Sequence, residues 1–495
     1  VSGKPRRLQV AMRDSFVVMT TFSTLPRIIQ GGMGIAVSDW RLANAVCRAG
    51  QLGVVSGTAL DTVFVRRLQD GDPGGHLRRA LAHFPIAGAA EALLAEWCRP
   101  AGRAPGEPYR LLPMYRRMVS DARQLVTVAA NFAEIWLAKE GHDRPVGLNL
   151  LTKVQLPTLP SLYGAMLADV DVVIMGAGIP REVPGALDAL AQHQPAALKL
   201  EHDGSAAPEP LPLIFSPAGV GGAALPSLRR PLFFPIVSAA SLATTLLRKS
   251  NGRVDGFIVE GPTAGGHNAP PRGAMQRNER GEPIYGPRDV VDLEAMRALG
   301  VPFWLAGGYG TPEKLTEALA AGASGIQVGT LFAGSDESGI APALRARLLE
   351  AVTSGDADIF TDPLASPTGY PFKRLRTTDA EHGDSILAAR ERICDLGYLR
   401  QPVREADGRV IYRCPAEPIE QFVAKGGDPA ATVGRRCLCN GLLADVGLPQ
   451  HRDSGDEPAL LTCGDDLRGI ATLAAARGHY SAGEAIRWLE GRAPD

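Results

Sequence analysis

Val301-Pro302-Phe303-Trp304-Leu305-Ala306-Gly307-Gly308-Tyr309-Gly310-Thr311-Pro312 is a short apolar run closing in glycines, followed by residues with helical composition and spacing from Glu313 to Ala321. Thr311-Pro312 suits the N-cap and first turn of that helix. Gly325-Ile326-Gln327-Val328 then repeats the device and closes in Gly329-Thr330. Two successive strand ends that free glycine amides form a concave anion cradle, because no Cβ blocks convergence of their N–H groups. In an eight-fold barrel such a phosphate site commonly sits in the loops after strands seven and eight.

Counting back from these two strands gives six more. They are the runs around Arg27–Gly34, Leu52–Gly57, Pro145–Leu150, Val170–Met175, Pro231–Ser238 and Gly256–Val259. Helical segments alternate with them, as between Trp40 and Ala49, and strands alternating with helices predict a parallel sheet. The fold expected is an α/β (β/α)8 TIM barrel. A doubly wound open sheet is the rival, and it requires a crevice at a strand-order reversal.

The sixth run leads into Glu260-Gly261-Pro262-Thr263-Ala264-Gly265-Gly266-His267-Asn268. Gly265 and Gly266 give up side-chain packing so that the backbone can turn sharply or admit a flat ligand. His267 beyond them titrates near neutral pH and is the candidate proton-transfer residue. The alternative is a solvated histidine on a glycine turn, or one that only orients a ligand.

Taken in order, Ile28-Ile29-Gln30-Gly31-Gly32-Met33-Gly34, Met175-Gly176-Ala177-Gly178-Ile179-Pro180, the Glu260–His267 segment, Ala306–Gly310 and Gln327–Thr330 resemble the nitronate monooxygenase family, formerly the 2-nitropropane dioxygenases. The resemblance runs from about Arg27 to Phe332. It implies a TIM barrel with FMN, a fold and Gly-Gly-His loop shared with flavin-dependent enoyl reductases of fatty-acid and polyketide synthesis. It places the FMN phosphate on Gly307-Gly308 and Gly329-Thr330. The isoalloxazine falls against Gly32-Met33-Gly34, Asn149 and Glu260, with His267 over its reactive face. Two positions depart from the pattern: the family's short enzymes commonly have Gln at the position of Glu260 and Pro at that of Gly32. An acid near the pyrimidine edge changes the electrostatics that tune a flavin.

Three functions follow as alternatives. The first is oxidation of alkyl nitronates or nitroalkanes with O2. The second is NAD(P)H-dependent reduction of an enoyl group on a polyketide or fatty acyl chain, where the substrate arrives on an acyl carrier protein and His267 protonates Cα. The third is a non-catalytic barrel that serves as a binding module. Five glycine openings on one rim argue against the third.

The 495 residues carry 52 Lys+Arg against 53 Asp+Glu, a net charge of −1 with no basic stripe, so nucleic acid is not expected as a partner. No apolar run reads as a membrane span and no basic n-region with an apolar follow-on opens the sequence, which sets a cytoplasmic expectation. Oligomeric state is not legible.

Residues 1–338 are assigned to the barrel and 339–495 to a mostly helical extension packed on it. Within the barrel, residues 61–144 form an insertion between strands two and three, expected as a lid or substrate wall above the rim. Arg110–Glu140 reads as largely helical, and His76 as a solvated loop residue. Glu201–Leu211 reads as a surface excursion. In the extension, Leu344–Thr353 and Ser385–Leu396 read as helices and Pro363–Arg374 as a proline-punctuated loop. Cys414, Cys437, Cys439 and Cys463 raise the question of zinc or an iron–sulfur cluster, but C-x-C spacing is poor for either and no metal site is assigned.

Overall fold

In the computed structural model, which describes residues 22, 24–203, 211–376 and 384–492, eight parallel strands close on themselves in chain order. They are β1 Ile28–Gln30, β2 Leu52–Ser56, β3 Val146–Leu151, β4 Val172–Gly176, β5 Leu232–Val237, β6 Phe257–Glu260, β7 Phe303–Ala306 and β8 Gly325–Val328. Closure is the pairing of β1 with β8, Ile28 opposite Ile326 and Gln30 opposite Val328. This is the expected TIM barrel, and all eight strands fall on the runs counted from the sequence.

Because successive side chains on a strand point to opposite faces, each run fills two cores at once. Val172 and Ile174 of β4 join Ile29, Val54, Phe234, Ile258 and Trp304 inside the barrel. Val173 and Met175 face the outer layer of helices. The interior is plugged by Trp304, fully buried, stacked on Phe234 at 5.0 Å and donating its indole N–H to the Pro26 carbonyl at 2.8 Å.

The insertion departs from its expected role. Its helix Asp121–Ala138 packs against Trp40–Arg48, Leu60–Gln69 and Thr158–Leu167 in the outer layer, away from the rim. This helix is shorter than the Arg110–Glu140 expectation, since residues 110–120 are non-helical. His76 starts a short helix and stands against the Trp40 ring and Arg79. Between β4 and β5 the chain forms a hairpin, Ala196–Leu200 with Leu211–Phe215, that the sequence did not announce. Residues 204–210 of the expected excursion lie outside the described residues.

The extension contains six helices among its described residues, the first Pro342–Ser354 and the last Ala482–Leu489. The predicted Ser385–Leu396 helix stops at Ala389. The predicted Pro363–Arg374 loop ends in a strand, Phe372–Arg376, which pairs antiparallel with Asp358–Asp362 on one side. Its other side pairs with the barrel segment Gly266–His267, Phe372 opposite His267 and Lys373 opposite Gly266. Further contacts tie the extension down: the Tyr480 hydroxyl donates to the Leu331 carbonyl at 2.5 Å, and helix Ala482–Leu489 lies on Trp40–Arg48. Leu344, Leu348, Leu349 and Val352 are buried, and their helix packs on Arg468–Ala474. Among the described residues no helix is long and apolar enough to cross a membrane.

Candidate active site

At the C-terminal ends of the barrel strands one cavity is bordered by every residue assigned above to ligand binding or proton transfer. Gly32, Met33, Gly34, Asn149, Glu260, Gly265, Gly266, His267, Gly307, Gly308, Gly329 and Thr330 all line it. Residues 61–144 contribute nothing to that lining, so the insertion is not the wall of this cavity. The wall comes from the extension, through Phe372, Leu399, Leu438, Leu442 and Leu461.

Backbone needs explain the glycines. Gly307 and Gly308 both adopt left-handed φ, 82° and 74°, where side chains are strained. A Cβ on Gly307 would stand 2.8 Å from the Gly261 carbonyl oxygen. At Gly32 a Cβ would lie 2.4 Å from the Cβ of Asn149, so the first and third strand ends approach closely because one of them carries no side chain. Gly265 meets the extension directly: a Cβ there would reach 2.9 Å from the backbone at Cys463 and Gly464.

Segment 462–464 of the extension bridges the two loops. The Gly266 N–H donates to Thr462 Oγ1 at 2.9 Å, and the Gly464 N–H donates to Thr330 Oγ1 at 2.8 Å. Thr330 therefore accepts from the extension and keeps its own hydroxyl proton free to donate. Gln327 Oε1 is buried at the cavity without a hydrogen-bond partner.

Two titratable groups share this cavity and are shifted in opposite directions by the same cause. Burial pushes the Glu260 carboxyl up to about 7 and the His267 imidazole down to about 4. Both shifts favour the neutral form. Asp445, on the extension side, accepts the Leu460 N–H at 2.8 Å and is likewise raised by burial, to about 8. His267 Nε2 lies 2.7 Å from Ser366 Oγ, and its ring stands edge-on to Phe372 at 5.0 Å.

Sequence reasoning did not find Ser366, Thr462, Asp445 or the cavity residue Tyr398. Tyr398 is fixed from the insertion: its hydroxyl donates to Asp61 Oδ1 at 2.5 Å, and Asp61 Oδ2 accepts from Arg123 at 2.7 Å. The insertion thus braces the wall that the extension builds. The seven cysteines are free thiols. Cys394, Cys414, Cys437 and Cys439 border one small cavity, and Cys439 and Cys463 border the cavity at the strand ends. Among the described residues no three His, Cys, Asp or Glu side chains stand where they could hold a metal ion.

Residues 224–378 match the nitronate monooxygenase family. A probable nitronate monooxygenase of Bacillus subtilis is 34% identical over 116 residues, 23% of this chain and 31% of that protein. The (3aS,4S,5R,7aS)-5-hydroxy-7a-methyl-1-oxo-octahydro-1H-indene-4-carboxyl-CoA dehydrogenase of Mycobacterium tuberculosis is 29% identical over 136 residues, 28% of this chain and 34% of that protein. The chain thus spans about a third of the length of the curated relatives it matches. The solved structure of FabK from Thermotoga maritima covers 96% of this chain and 94% of its own at 17% identity and a TM-score of 0.47. β6, β7 and β8 and their three glycine loops lie inside the matched stretch, so it is this part of the barrel that is similar to the nitronate monooxygenase family.

Proposed function

We propose that the protein is an FMN-dependent oxidoreductase that oxidises alkyl nitronates or nitroalkanes with O2. The observation that carries this reading is a half-buried His267, held in its neutral form, in the same cavity as the Gly307-Gly308 and Gly329-Thr330 cradle.

The residues present fit the cofactor. The Gly307, Gly308 and Gly329 amides and the Thr330 hydroxyl are the donors that would hold a phosphate. The orphaned Gln327 Oε1 offers an acceptor, and the Glu260 carboxyl, raised to about 7, offers a donor in its protonated form, to a flat ring bearing amide groups. When bound, FMN would supply a two-electron acceptor that O2 can reoxidise. His267, uncharged at neutral pH, is poised to accept the α-proton of a nitroalkane. A preformed nitronate has already lost that proton and needs His267 only for orientation.

The second reading, an FMN- and NAD(P)H-dependent enoyl reductase, is favoured by one feature. The extension faces the cavity with Leu399, Leu438, Leu442 and Leu461, an apolar wall suited to an acyl chain delivered on a carrier protein.

Anaerobic reduction of the purified protein separates the two. Bleaching by a nitronate or nitroalkane and not by NAD(P)H is expected; bleaching by NAD(P)H transfers the assignment to the reductase. Gly308→Leu should leave a folded, colourless protein, and yellow colour retained in that variant would remove the cradle from the assignment.

A further inference from the structure

The His267 side chain meets the extension through one polar contact, whose chemistry bears on which ring nitrogen carries the proton. Nε2 lies 2.7 Å from Ser366 Oγ, whereas Nδ1 makes no hydrogen bond among the described residues. Ser366 is fully buried. Its hydroxyl oxygen accepts the Thr368 N–H at 3.2 Å and lies 2.8 Å from Thr368 Oγ1.

The loop that carries Ser366 is held from several sides. Asp362 Oδ1 accepts the Leu364 and Ala365 N–H groups at 2.9 and 3.0 Å. The Arg436 N–H donates to the Ala365 carbonyl at 2.9 Å, and the Arg435 guanidinium donates to the carbonyls of Leu364 and Ser366. Past the loop, the Asn268 N–H donates to the Pro371 carbonyl at 2.9 Å and begins the strand pairing that fixes the histidine backbone.

We propose that Ser366, backed by Thr368, is a positioning residue that accepts the Nε2–H of His267 and so turns the Nδ1 lone pair toward the substrate. A serine oxygen has two lone pairs and one proton. Here the lone pairs take the imidazole N–H and the Thr368 N–H, and the Ser366 O–H donates a hydrogen bond to Thr368 Oγ1. When Nδ1 takes the α-proton from substrate, the imidazolium keeps Nε2–H on Ser366, and no second proton has to move. The catalytic group therefore belongs to the barrel and its orienting partner to the extension, the arrangement by which an acceptor commonly fixes a histidine tautomer. This rests on the proposed role of His267 as a base.

The test uses the full-length flavin-loaded protein labelled with 15N-histidine. His267→Asn identifies the His267 resonances, and the imidazole nitrogen shifts report the tautomer without turnover. The native protein should show Nε2 protonated and Nδ1 bare. Ser366→Ala should mix the tautomers and lower kcat about tenfold, the scale of one buried hydrogen bond, with KM and bound flavin unchanged. Ser366→Thr, which restores the hydroxyl, should recover both signals, and Thr368→Val should show a smaller shift in the same direction. A native Nδ1-protonated tautomer, or Ser366→Ala with native shifts and rate, overturns the proposal. Full turnover by His267→Asn instead overturns the catalytic reading, and the tautomer measurement still judges the Ser366 contact by itself.

Discussion

One side of the cavity is backbone and the other is side chain. On the barrel side Gly31, Gly32, Gly34, Gly307, Gly308 and Gly329 offer amides and open space, set by strand ends that the barrel geometry fixes. On the extension side Phe372, Leu399, Leu438, Leu442 and Leu461 offer apolar surface, set by loops and short helices that depend on distant anchors. The difference teaches where tolerance lies. A glycine wall suits a group that stays the same from one relative to the next, while an apolar wall can be recut for different substrates without disturbing the barrel.

Removing the second wall should have the largest effect. A chain ending after Phe332 loses the strand paired with Gly266–His267 and bares the apolar surface under Tyr480 and helix Ala482–Leu489. The expected outcome is insoluble or colourless protein, read by solubility and the visible spectrum. A soluble, yellow, fully active fragment would show that the barrel side suffices.

Next is the brace between the insertion and the wall. Asp61→Ala strands Arg123, whose side chain is 5% exposed, and removes the acceptor of the Tyr398 hydroxyl. Breaking a buried pair in this way should cost about 3–5 kcal/mol in urea denaturation, and Tyr398→Phe about 1 kcal/mol. Equal and small losses in the two variants would mean that the brace is not what holds the wall.

The subtlest test sets Glu260 against His267. Glu260 is raised from 4.5 to about 7, so the stability it contributes is complete below 4.5 and is lost as pH rises to about 7. His267 is lowered from 6.5 to about 4, so its contribution is present above 6.5 and is lost as pH falls to about 4. Over pH 4.5–6.5 the two slopes oppose, each at most about 1.4 kcal/mol per pH unit. Asp445, raised from 3.8 to about 8, adds a second falling slope over the same window, so stability of the native protein should decline with rising pH there. His267→Asn should make that decline steeper, and Glu260→Gln should make it shallower. The same slope in both variants would show that the two groups do not share one desolvated cavity.

The sequence carried the barrel side well because each strand is a short apolar run with its own glycine stop, and because the amide cradle needs glycine at fixed places. Gly307, Gly308 and the Gly265-Gly266-His267 turn could be read locally. The Ala196–Leu200 and Leu211–Phe215 hairpin could not, since exposed positions such as Ala197 and Ile214 are apolar and hide the alternation, beside a polar excursion and outside the βα rhythm. The insertion showed amphipathic helices, but amphipathicity does not say which neighbour a face meets, so a helix of the outer layer read as a rim wall. Ser366 and Tyr398 carry no local signal at all. One is a serine in a proline-punctuated loop and the other a lone tyrosine, and each acquires meaning only from a partner 99 or 337 positions away.

The short ladder between Gly266–His267 and Phe372–Lys373 has a consequence for the order of events during synthesis. The histidine leaves the ribosome about a hundred residues before the strand that fixes it, and contacts of such long sequence separation form slowly. All eight barrel strands can be in place while His267 still has no orienting neighbour. Under the proposed role of His267, chemical competence is thereby deferred until most of the chain has been made, and a nascent chain that already has its barrel is expected to be inert.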